Sequence, residues 1–138
     1  MVYSRSANLA AYQSAGTHGG VAAADPHGLV LLLLNGALER ISKARGCIIN
    51  QVYSEKAQLI HRSVAIVDEL RNSLNLQAGG DVAKNLDRLY DYVCRLLLHA
   101  SMQNDIKALE EASRLLSQVR DGWDSIPKAQ RILEAVKR

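Results

Sequence analysis

The chain has 138 residues, 48% of them apolar, with five Tyr, one Trp, two Pro and no Phe. A chain this long buries roughly 65–70% of its unfolded surface, so one domain holds together without disulfide or metal staples. So few aromatics and breakers exclude an all-β sandwich, and the apolar content excludes disorder. The net charge is +3, and Lys128, Arg131, Lys137 and Arg138 against Glu134 account for all of it. Residues 1–127 are therefore neutral, with no basic face interleaved with aromatics, and nucleic acid is not an expected partner.

Residues 1–24 read as an N-terminal arm. Leu9 and Tyr12 share one helical face, but Gly16, Gly19 and Gly20 follow, and the segment has too few large apolar residues for a core. It is expected to be mobile. No basic stretch leads into an apolar run there, so a cytoplasmic protein is expected. Residues 25–126 read as the body of the domain and 127–138 as a basic tail, in which Ile132, Leu133 and Val136 suit a short further helix.

Asp25-Pro26 is a helix start: Asp caps a backbone N–H, and Pro at the first helical position gives up no hydrogen bond. The first helix is predicted over 26–52, with Val30, Leu34, Ala37, Ile41, Ala44 and Ile48 stepping by four and three along the inward face. The run from Leu29 to Leu34 is six apolar residues long, far short of the ~20 that span a bilayer, and no insertion into a membrane is expected. A helix spreads such a run around its circumference, so part of it stays outside the core.

A second helix is predicted from about 54 to 76, with an inward stripe of Ala57, Ile60, Val64, Val67, Leu70 and Leu74. Gly79-Gly80 reads as the turn that caps it. The third runs from Asp81, read as its N-cap, to about 102, with Val82, Leu86, Leu89, Val93, Leu96 and Ala100 as the stripe. Asn104-Asp105 breaks the chain, and the fourth helix carries Ile106, Leu109, Ala112, Leu116, Val119 and Trp123. Four helices of similar length, joined by short connections and striped at 3–4 spacing, predict an all-α, antiparallel up-and-down four-helix bundle.

Cys47 and Cys94 lie within helical apolar patterns without any metal-ligand spacing, and are expected as buried free thiols. No His stands three residues after a Glu, so the Glu-x-x-His pairs of di-iron bundles are missing, and no nucleotide or nucleophile motif is present. Neither a metal, a cofactor nor an enzyme is expected. Apolar surface left over from the core points instead to a partner groove. The competing reading is a structural or scaffold bundle that self-associates.

The string Gly79-Gly80-Asp81-Val82-Ala83-Lys84-Asn85-Leu86-Asp87-Arg88-Leu89-Tyr90-Asp91-Tyr92-Val93 resembles the signature of the flagellin-specific flagellar secretion chaperones, the FliS family. So do Asn104-Asp105 with Glu111, Leu115-Leu116 and Trp123, the start Asp25-Pro26-His27-Gly28-Leu29-Val30 with Asn35-Gly36-Ala37, and Leu9 with Tyr12. Leu34 stands where an aromatic is common, and Ser101 where Asn is usual. The resemblance implies a non-catalytic cytoplasmic chaperone that binds the disordered C-terminal segment of flagellin, prevents its premature polymerisation and assists delivery to a component of the flagellar type III export gate. The expected groove comprises the off-stripe residues Leu31, Leu32, Leu38, Ile49, Leu59 and Ile66, with Asn85 and Tyr92 of the signature. Leu9 and Tyr12 are the expected regulatory pair on the arm. A monomer is expected in the free state.

Overall fold

A computed structural model describes residues 25–125. The arm residues Leu9 and Tyr12 and the basic tail lie outside the described residues. Four helices follow one another: α1 (Pro26–Ile49), α2 (Tyr53–Asn72), α3 (Gly80–Gln103) and α4 (Ile106–Asp124). Each packs on its chain neighbours, and α4 returns to α1, so the order around the bundle is α1, α2, α3, α4. This is the predicted antiparallel four-helix bundle.

The boundaries follow from local chemistry. Asp25, in extended conformation, accepts a hydrogen bond from the His27 amide at 3.1 Å, and Pro26 opens α1. At the α3–α4 connection two residues divide the work. Asn104 takes the left-handed conformation at φ 52, which Asn tolerates better than most residues. Asp105 then caps α4 by accepting from the Ala108 amide at 3.3 Å.

The glycine pair has a different role from the one expected. α2 ends at Asn72, with Ser73 rather than a glycine at its C-cap. Gly79 and Gly80 instead start α3, and Asp81 lies in the first turn rather than at the cap. Each glycine answers a separate demand. Gly80 has φ +55, which side chains with a Cβ adopt at a penalty. A Cβ on Gly79 would fall 2.5 Å from the Ala83 Cβ and 2.8 Å from the Asn75 carbonyl oxygen.

Most of the stripe residues predicted for α1, α2 and α4 face the core: Leu34, Ala37, Ile41, Ile60, Val67, Leu70, Leu109, Ala112 and Leu116 are buried. Val30, Ala57, Val64, Leu74, Ile106, Val119 and Trp123 are half-buried, and on α2 Ser63 and Ile66 are buried in addition. α3 is rotated from its predicted facing. Its buried residues are Ala83, Tyr90, Val93, Leu97 and Ala100, while Val82 is 69% exposed and Leu89 and Leu96 are half-buried. Leu86, Val93 and Ala100 belong to two overlapping 3–4 stripes, one completed by 82/89/96 and one by 83/90/97. The second faces the core, placing the Tyr90 ring inside, where burial pushes its phenol up to about 12.

At one end of the bundle the His27 and Trp123 rings stack at 5.1 Å and 12°. The Trp123 indole N–H also donates to the His27 carbonyl at 3.1 Å, tying the end of α4 to the start of α1. On the α2–α3 seam, Arg71 reaches Asp87 at 2.6 Å and Asp91 at 3.1 Å, and Asp91 also takes Arg95 at 2.6 Å. Cys47 and Cys94 are free but half-buried rather than buried. Burial holds the Cys94 thiol up at about 11, so it is protonated at neutral pH.

Candidate functional site

Rotation of α3 moves an apolar line to its outer flank. Val82, Asn85, Leu89, Tyr92 and Leu96 step by three and four residues and so share one face of the helix. Val82 and Tyr92 are 69% and 44% exposed; Asn85 is exposed, and Leu89 and Leu96 are half-buried. This line runs along the seam with α4: the Tyr92 hydroxyl donates to Glu111 Oε1 across it at 3.0 Å, and Leu115 packs half-buried beside the core. The bond to Glu111 holds the Tyr92 phenol above its ordinary value, aided by partial burial and the nearby negative charge.

A second groove lies between α1 and α4. It holds a cavity of about 330 Å³ with Ile41 and Leu109 at its floor and Ser42, Ser113 and Ser117 along its walls. Small hydroxyl side chains at facing positions leave this space unfilled. Arg45 and Glu110 close the rim with an exposed ion pair at 3.5 Å, and Arg114 lies beside them.

The eight expected groove residues do not form one surface. Asn85 and Tyr92 share the α3 flank. Leu31 and Leu38 are half-buried and, by helical register with Ser42 and Arg45, fall on the α1 flank that faces the second groove. Leu32 is half-buried off that line. Ile49, 54% exposed, stands at the far end of α1, and Leu59 packs half-buried on α2. Ile66 is corrected outright: at 3% exposure it belongs to the core and lines no surface groove. Reading the sequence missed Leu89 as a flank residue, because it spent that residue on the core; Leu96, half-buried, does pack against the core. It missed Glu111 as the partner of Tyr92, because only the fold brings positions 19 residues apart into contact.

Among the described residues, no group of three His, Cys, Asp or Glu side chains is placed to hold a metal ion. No described helix is long and apolar enough to cross a membrane. The candidate site thus comprises the apolar line on the α3 flank and the cavity between α1 and α4.

The family model described as flagellar protein FliS matches residues 7–130. The chain belongs to the FliS family. It is 42% identical over 115 residues to the flagellar secretion chaperone FliSB of Pseudomonas aeruginosa, covering 83% of this chain and 91% of that protein. It is 35% identical over 123 residues to the flagellar secretion chaperone FliS of Salmonella typhimurium, covering 88% and 91%. The Vibrio cholerae protein of the same name is 30% identical over 130 residues, covering 94% of this chain and 96% of its own length. FliS membership also makes physical sense of the signature string: its glycine pair answers the geometry at the start of α3, and its Asn85, Leu89 and Tyr92 lie along the outer flank of that helix.

Proposed function

We propose that this FliS-family chain is a cytoplasmic export chaperone that binds the C-terminal segment of flagellin, prevents its premature polymerisation and delivers it to a component of the flagellar export gate. The role of the relatives, flagellar secretion chaperone, supports this reading. The observation that carries it is the apolar line Val82, Leu89, Tyr92 and Leu96, which the fold leaves exposed or only half-buried along the flank of α3. A disordered segment with an apolar stripe gains by folding as a helix on such a line, and covering the stripe keeps it from pairing with other copies. Ordering the segment opposes binding by several kcal/mol, so a long contact is needed. Leu31 and Leu38, on the flank of the second groove, extend the available surface. Leu9 and Tyr12 of the arm are the proposed competitor for it, so deleting residues 1–20 is expected to leave binding equal or tighter.

The test is titration with a flagellin C-terminal peptide, read by size-exclusion chromatography with light scattering. A one-to-one complex is expected, and Leu89→Asp or Leu96→Asp is expected to weaken it at least about tenfold with the helical circular dichroism retained. Undiminished binding by both variants would remove the α3 flank from the reading. Stable dimers of the free chain that ignore the peptide would favour the self-associating scaffold instead.

A further inference from the structure

We infer that Glu111, held by Tyr92 across the α3–α4 seam, sets the register of the docked flagellin helix by requiring one basic or amide donor at the position facing it. The inference rests on the proposed function and adds which position of the segment is selected. An apolar line is a poor ruler. A helix sliding along it by seven residues, about 10.5 Å, recovers nearly the same contacts. One polar group in the middle of the line removes that degeneracy, as a single polar core position does in coiled coils.

Tyr92 stands in the middle, three residues after Leu89 and four before Leu96. Its hydroxyl occupies Glu111 Oε1 at 3.0 Å. The nearest guanidinium, Arg114, approaches that same oxygen, at the long distance of 3.9 Å. No described residue donates to Oε2, and the Glu111 side chain is 40% exposed. A helix lying over Leu89, Tyr92 and Leu96 shields it from solvent. The second oxygen is then left without a donor unless the partner supplies a Lys, Arg, Asn or Gln there.

The other polar groups of the line do not discriminate in this way. Asn85 offers both a donor and an acceptor, so it accommodates either kind of partner. At the far end, His99 meets Asp105 Oδ2 at 3.2 Å while Oδ1 takes the Ala108 amide, so both carboxylate oxygens are occupied. Glu111 alone among these presents an acceptor that is open and selective for donors. Tyr92 is a positioning residue: its hydroxyl fixes the rotamer that aims the second oxygen outward.

The experiment is a double-mutant cycle by calorimetric titration on the full chain. One side is wild type, Glu111→Leu and Tyr92→Phe. The other is the flagellin C-terminal peptide and variants with each Lys, Arg, Asn or Gln changed singly to Met. One peptide substitution is expected to weaken binding to wild type about tenfold and to Glu111→Leu less than about twofold. Tyr92→Phe is expected to show an intermediate coupling to that same position. Unchanged thermal midpoints of the free variants separate coupling from misfolding. If wild type binds and no peptide position couples to Glu111 beyond about twofold, the register inference falls and the chaperone reading stands. If wild type does not bind the peptide, both fall.

Discussion

Lys56, near the start of α2, is only 6% exposed and donates from Nζ to the Ser101 carbonyl oxygen at 2.7 Å, at the end of α3. The same ammonium reaches Asn104 Oδ1 at 2.9 Å and lies 5.5 Å from the centre of the Tyr53 ring. Two oxygens and a ring face serve its three protons. A cation at a helix C-terminus also meets the negative end of the helix dipole.

Lys56→Met keeps the stem and removes the donors, leaving the Ser101 carbonyl and the Asn104 side chain without them. The expected loss is about 1.5–3 kcal/mol of stability, the usual range for hydrogen bonds to a charged group. The urea midpoint should fall with an unchanged slope. An unshifted midpoint would mean that water or a neighbour replaces the ammonium.

The rotation of α3 makes a second prediction, a contrast within one helix. Leu97, fully buried, should lose about 2–5 kcal/mol on truncation to Ala. Leu89, half-buried, should lose less than about 1.5 kcal/mol, because much of its side chain already meets water. Thermal and urea denaturation of the two variants decide it. Equal losses would put Leu89 in the core.

The difference between these leucines shows where the sequence stops informing. α1 and α4 were readable because Asp25-Pro26 and Asn104-Asp105 mark their starts and each carries a single dominant stripe. α3 carries two stripes that share Leu86, Val93 and Ala100, and periodicity cannot choose between them. The choice comes from packing: the Tyr90 ring fills the centre, which frees Leu89 for the flank. In the sequence reading Leu89 is assigned to the core for that reason. The partners of Lys56 and of Glu111 were invisible for another: a charged residue on a helix reads as solvated until its partner, here 45 or 19 positions away, is known.

Gly79 and Gly80 should respond to alanine for different reasons. At Gly80 the penalty is conformational, about 1 kcal/mol for a Cβ at positive φ. At Gly79 it is steric, and pushing Ala83 or the Asn75 carbonyl away costs about 1–3 kcal/mol. Combining Gly79→Ala with Ala83→Gly relieves the Cβ overlap at Gly79 and should recover part of that loss, whereas Ala83→Gly should recover nothing for Gly80→Ala. Identical responses of the two glycines to Ala83→Gly would contradict this division.

Acid should weaken the α2–α3 seam through Asp87. The Arg71 hydrogen bond, reinforced by its charge and that of Arg88 against partial burial, holds the Asp87 carboxyl below its ordinary 3.8. In the unfolded chain the carboxyl returns to the ordinary value. Above about pH 5 Asp87 is ionised in both states, and the seam contributes its full stabilisation. As pH falls through 3.8 the unfolded state takes up a proton first, so stability declines, and the contribution is gone once pH passes below the folded value. Asp87→Asn and Arg71→Met each remove the pair. Their stability deficits relative to wild type should therefore be largest near neutrality and shrink steadily between about pH 5 and pH 3, as urea midpoints at each pH would show. Because the pair is only partly buried, added salt should also shrink the deficit at pH 7. A deficit that stays constant with both pH and salt would show that Arg71 acts through the packing of its stem and not through its charge.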